Sequence, residues 1–163
     1  MAVLTLIDFA PALPPARPLL GLDPGSVVIG VAVSDPMRRV ASPLVSLNRA
    51  KKFADDAAAI VKIIRERQVG GLVIGLPKNM DGSEGPAAQS ARAFARNLVE
   101  RGGLPDPAIP ILFWDERFSS AAVERMLIAD DMTRKRRDAV IDKAAAAYIL
   151  QGALDALGMR QGL

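Results

Sequence analysis

The sequence predicts an α/β fold: a mixed five-stranded sheet whose first three strands form an antiparallel meander, with helices packed on it. Three observations carry this reading. Three short runs rich in β-branched residues follow one another early in the chain, and two later apolar runs alternate with amphipathic helical patterns. Helical crossovers between strands then make the later strands parallel. The 163 residues suit one domain, expected over residues 19–158, and a chain 50% apolar and 24% charged is neither a disordered segment nor a membrane protein.

The first eighteen residues, MAVLTLIDFAPALPPARP, have no basic start, break their apolar run at Asp8 and carry Pro11, Pro14, Pro15 and Pro18. They read as a ragged extension and not as a secretion signal. No stretch approaches the roughly 18 uncharged apolar residues of a membrane helix, so a cytoplasmic protein without a membrane partner is expected. Residues 19–23 and 27–34 read as strands joined by the turn Pro24-Gly25-Ser26, and residues 40–47 as the third strand of the meander. Phe53, Ala57, Ile60 and Ile64 recur at helical spacing among charged neighbours, which predicts an amphipathic helix ended by Gly70-Gly71. Residues 72–76 form a buried strand, followed by a loop at residues 77–85 that turns at Asp81-Gly82. Ala91, Phe94, Ala95 and Leu98 define a second helix, and residues 109–114 the fifth strand. Val123, Met126 and Leu127 mark a third helix, and a polar loop at residues 130–137 leads into a last helix at residues 138–157.

The chain has no histidine and no cysteine, which excludes imidazole bases, thiolate nucleophiles, disulfides and Cys/His zinc sites. Chemistry must run on carboxylates, hydroxyls, lysines and arginines, and a bound metal would be a hard, oxygen-liganded ion. Asp23 ends the first strand, and Pro24 pushes its backbone toward extended geometry, although an Asp-Pro-Gly turn uses the same residues. Asp115 and Glu116 follow the fifth strand and point to opposite faces, Asp115 with Phe113 and Glu116 with Trp114, so at most one reaches a common site. Either acid, or Ser119, also suits the start of the next helix. Asp142 shares a helix stripe with Ala145, Ala146 and Ile149, where an acid needs a partner, an arginine or a site.

Three acids on three separated elements suggest one oxygen-ligand cluster for Mg²⁺ or Mn²⁺, suited to phosphodiester cleavage. Close carboxylates without a cation would repel one another, so the metal would belong to the charge balance of the folded site. The net charge of +3 hints at polyanion partners. Arg134, Lys135, Arg136 and Arg137 stand directly before the helix carrying Asp142, where they would hold a phosphate backbone unless they are simply a solvated charge run. Lys78 and Asn79, in the loop after the fourth strand, would hold substrate or form a plain surface turn.

Four motifs in series carry a family resemblance: Gly21-Leu22-Asp23-Pro24-Gly25 with Ile29-Gly30-Val31-Ala32-Val33-Ser34-Asp35; Gly75-Leu76-Pro77-Lys78-Asn79-Met80-Asp81-Gly82; Asp115-Glu116-Arg117-Phe118-Ser119-Ser120; and Ile141-Asp142-Lys143-Ala144-Ala145. Together they resemble the YqgF family, also called RuvX, whose members are described as Holliday junction resolvase-like proteins and regarded as pre-16S rRNA nucleases. The resemblance implies an RNase H-like fold with helices on both sheet faces, and a metal-dependent endonuclease acting in 5′-end maturation of small-subunit ribosomal RNA. By motif position it implies that Asp23, Glu116 and Asp142 are the catalytic acids and metal ligands, with Asp115 in support. Arg117 and Lys143 fall within the same motifs and join Lys78, Asn79 and Arg134 to Arg137 as expected nucleic-acid contacts. Val27 and Val28 depart from the family pattern, where many members carry basic or polar residues.

Structured RNA is the expected partner, with branched DNA as the nearest rival substrate and a monomer or homodimer as the acting form. A binding-only factor on ribosomal precursors or transcription complexes is a reading of a different class. A sugar-kinase-like phosphotransferase needs a second similar domain, for which 163 residues leave no room.

Overall fold

The computed structural model describes residues 3–116 and 134–160, with side chains described for residues 3–116 and 142–159. The elements run β1 (Val3–Leu4), α1 (Leu6–Ala12), β2 (Leu19–Pro24), β3 (Val28–Ser34), β4 (Ala41–Asn48), α2 (Phe53–Arg67), β5 (Gly71–Leu76), α3 (Pro86–Arg101), β6 (Ile111–Asp115) and α4 (Arg134–Arg160). The sheet order is β1-β6-β5-β2-β3-β4. β2, β3 and β4 pair antiparallel as the meander, and β5 and β6 add parallel on the other side of β2. This is the predicted mixed sheet, widened by one strand.

Alternation along the strands divides the core into two layers. Leu20, Leu22, Ile29, Val31, Leu72 and Ile74 pack with Ile60, Ile64, Phe94 and Leu98 of α2 and α3. On the opposite face Leu19, Ala32, Val73 and Leu112 pack with Ala146, Ile149 and Leu150 of α4 and with Phe9 of α1. Each large aliphatic side chain removed from water in these layers contributes about 1.5–3 kcal/mol before the entropy of ordering is subtracted.

Three expectations need correction. The N-terminal extension is not ragged: Val3 and Leu4 pair in parallel with Ile111 and Leu112, and Phe9 is fully buried. The Arg38 guanidinium fastens the following segment by donating to the backbone carbonyls of Arg17 and Pro14. An uncovered β6 would present an open sheet edge, and β1 pairs with it. Gly70-Gly71 does not end α2. That helix closes on Gln68 in the left-handed region (φ 52°), whose N–H donates to the carbonyls of Arg65 and Ile64. The two glycines instead admit the N-terminal segment: the Gly70 N–H donates to Pro18 O at 2.9 Å, and a Cβ on Gly71 would press on Leu13 and Phe9. Finally, the last helix already includes Arg134 to Arg137, so the basic run is helical and not part of a loop. Arg and Lys are good helix formers, and no glycine or proline separates them from Asp138. The expected third helix around Val123, Met126 and Leu127 lies outside the described residues.

Small residues let α4 lie close on the sheet. A Cβ on Gly21 would stand 2.8 Å from Leu150 Cβ, and one on Gly30 would collide with the backbone carbonyl of Asp142.

Candidate active site

Asp23 sits at the end of β2, opposite Gly30 of β3. Leu20 and Leu22 face α2 and α3, so alternation turns Asp23 to the α4 face. On β6, Phe113 packs toward α3 and Trp114 toward α4. Glu116 follows Trp114's face as the alternation predicts. Its N–H reaches Leu76 O at 3.4 Å, and its carboxylate lies over Gly75, where a Cβ would strike Glu116 Oε2 and stand 2.7 Å from Ile149 Cδ1. Asp142 enters from α4, its main chain resting on Gly30. The three acids thus converge at the carboxyl ends of β2 and β6, beneath the N-terminal half of α4.

The electrostatics record that convergence. Burial pushes the Asp23 carboxyl above its ordinary value and the Asp142 charge raises it further, while a hydrogen bond with Glu116 works against the rise. Glu116 is pushed up to about 8 by burial, by the Asp23 charge, by its hydrogen bond with Asp23 and by the Asp115 charge. Asp23 and Glu116 are therefore a hydrogen-bonded pair, with Asp142 close enough to act on Asp23 through its charge. Among the described residues no three acids form a ready-made metal cage. Where the sequence suggests one three-carboxylate cluster, the structure has a hydrogen-bonded pair, Asp23 and Glu116, with Asp142 beside it.

The loop after β5 is rooted at the same place. Lys78 N–H donates to Leu76 O at 3.0 Å, and Leu76 O also receives the Glu116 N–H. The Asn79 amide donates to Ser83 Oγ at 3.0 Å, so this side chain builds the loop. Glu84 and Arg92 form a two-pronged ion pair (2.6 and 2.8 Å), which holds the Glu84 carboxyl below its usual range, and the guanidinium stands 4.9 Å over the Phe113 ring. Sequence reading did not single out this pair, whose eight-residue separation across a loop and a helix start matches no periodic pattern. Nor did it assign the roles of Gly30 and Gly75, although both stand on strands next to the candidate acids. Lys143 is half-buried, with its backbone near Gly30. Arg117 lies outside the described residues, as do the side chains of Arg134, Lys135, Arg136 and Arg137.

The RuvX family, described as "Holliday junction resolvase", matches residues 17–156. The chain belongs to this family. The chain is also similar to a Ruegeria pomeroyi protein, 57% identical over 153 residues (94% of this chain, 96% of that protein), and to a Phenylobacterium zucineum protein, 58% identical over 158 residues (96% and 98%). Both carry the name "Putative pre-16S rRNA nuclease". The solved structure of "T. thermophilus RuvC in complex with Holliday junction substrate" is similar at 13% identity and TM-score 0.48, covering 90% of this chain and 97% of that one. The RuvX match spans all three acids and the loop after β5, and leaves β1 and α1 outside. Among the described residues no helix is long and apolar enough to cross a membrane.

Proposed function

We propose that this RuvX-family chain is a cytoplasmic, metal-dependent endonuclease that hydrolyses phosphodiester bonds in structured RNA, acting in 5′-end maturation of precursor 16S ribosomal RNA. One observation supports the reading: Asp23 and Glu116, from two separate strands, share a hydrogen bond on the sheet face that α4 covers, and the charge of Asp142 from α4 acts on Asp23. The donor set suits Mg²⁺ or Mn²⁺, since it is all carboxylate oxygen, and burial and neighbouring acids oppose ionisation of the Asp23–Glu116 pair. Asp23, Glu116 and Asp142 would hold the ion, which when bound supplies polarisation of the phosphoryl oxygen and activation of water. Gly75 leaves the space that the Glu116 carboxylate occupies, and Gly30 lets the Asp142 main chain approach the sheet. Lys78, Lys143, Arg117 and the basic turn of α4 would hold the phosphate backbone, and Asn79 would support them by fixing the loop.

Asp23→Asn, Glu116→Gln and Asp142→Asn should each lower cleavage by about a hundredfold or more, the loss of a few kcal/mol of transition-state stabilisation, while melting stays cooperative. Variants that cut as fast as the parent would remove these acids from the chemistry. The family description favours a second reading, resolution of branched DNA. Precursor rRNA and a four-way DNA junction, incubated side by side with and without chelator, separate the two by which one is cut.

A further inference from the structure

Asp23 stands where the sheet gives its strand least support. The ladder to β5 ends one residue earlier, at Leu22 and Ile74, and the following Pro24 has no N–H to offer. The antiparallel ladder to β3 stops at Pro24 and Ile29, and the chain reverses through residues 25–27. That turn is tight: the Gly25 N–H donates to Asp23 O at 3.0 Å, and a Cβ on Gly25 would stand 2.6 Å from Val28 O. Arg49, the residue after β4, grips it twice. Its N–H donates to Val27 O at 2.8 Å, and its Nη1 donates to Gly25 O at 3.0 Å. The same guanidinium places Nε 3.2 Å from Asp56 Oδ2 and lies 5.4 Å from the centre of the Phe94 ring. Asp56, 4% exposed in the first turn of α2, accepts the Ala50 N–H on its other oxygen at 2.8 Å.

We propose that Arg49 is a positioning residue for the nuclease reaction: oriented by Asp56, it fixes the β2–β3 turn and with it the direction in which the Asp23 carboxylate meets Glu116. A buried ion pair is costly to desolvate, and apolar side chains of similar volume often serve stability as well. What this pair supplies, and an apolar pair lacks, is a directed charged donor for a main-chain carbonyl two residues past Asp23. Phe94 packs in the α2–α3 layer, on the sheet face opposite α4, so the guanidinium is held from behind the strand end that carries the acid. With Nε on Asp56 and Nη1 on Gly25, the fork is committed to the protein, and its effect on substrate runs through Asp23.

The inference rests on the nuclease reading, and its test separates the two. Arg49→Lys keeps a cation beside Asp56 but replaces the fork by a point charge, which does not span the carboxylate and the carbonyl. A double variant, Arg49→Met with Asp56→Asn, removes both charges together and leaves no unpaired buried carboxylate should the lysine variant fold poorly. Full-length proteins are compared on an RNA hairpin with a single-stranded 5′ extension in Mn²⁺, with kcat and KM read separately. Amide hydrogen exchange at residues 25–28, measured in chelator, reports the turn without metal or substrate. Both variants should melt cooperatively, exchange faster in the turn and lower kcat about tenfold with KM little changed, a part of the roughly hundredfold that a 1 Å misplacement costs. Cutting at the parent's rate overturns the positioning role alone. So does a raised KM with unchanged kcat, which would make Arg49 a substrate contact, or slower cutting without faster exchange in the turn. Loss of cooperative melting in both variants overturns it as well, leaving Arg49 a residue of the core. Parent protein that cuts the hairpin in neither Mn²⁺ nor Mg²⁺ overturns the nuclease reading and this role together.

Discussion

Glu116 and Asp23 show how much a site depends on what its neighbours lack. With no side chain at Gly75 the Glu116 carboxylate settles on the sheet, beside an acid that is itself raised by burial and by Asp142. In cation-free protein this arrangement opposes ionisation, so Glu116 titrates near 8 in the fold against about 4.3 in an unfolded chain. A raised carboxyl pKa means that the folded state binds more protons, and its stabilising effect is present below pH 4 and lost as pH rises toward 8. Glu116→Gln should therefore melt higher than the parent at pH 8.5 in chelator, with the gain shrinking toward pH 5; an equal gain at both values would contradict the assigned cause. Gly30 works in the same way on the helix side, since any Cβ there meets the Asp142 main chain.

The elements divide by how local their causes are. α2 and α3 are legible from apolar spacing, and Leu20 and Leu22 against Asp23 set the face of β2 by alternation alone. β1 and α1 were not legible. A two-residue strand has no periodicity to read, and the prolines of residues 11–18 mimic a loose tail, yet Phe9 fills a gap between α4 and the sheet that exists only once both are assembled. Phe9→Ala should cost about 3–5 kcal/mol and lower Tm by roughly 2–4 °C for each kcal/mol, read by thermal melting; a change of less than 1 °C would return the segment to the status of a tail. The charges of the basic run resemble a solvated linker and suggest a loop, whereas helix propensity lets α4 take in Arg134 to Arg137.

At the scale of the molecule, the sheet collects its acids at one end and α4 brings four consecutive basic residues to the start of the helix that carries Asp142. Replacing Arg134, Lys135, Arg136 and Arg137 by alanine should flatten the dependence of RNA affinity on salt by about one unit of log–log slope for each phosphate contact removed, with little sequence preference in the loss. An unchanged slope would take the run off the binding surface. The sequence by itself determined the reagents and the local geometry: no imidazole or thiol, three acids at motif positions, and a strand phase that sends Glu116 and Asp115 apart. Those properties follow from composition and from the two-residue repeat of a strand, which need no distant partner. Only the tertiary structure decided that Asp23 and Glu116 share a hydrogen bond, that Gly75 makes room for Glu116 and Gly30 for the Asp142 main chain, and that the first residues complete the sheet. Each of these depends on the register and the packing distance between segments far apart in the chain, which local patterning does not encode.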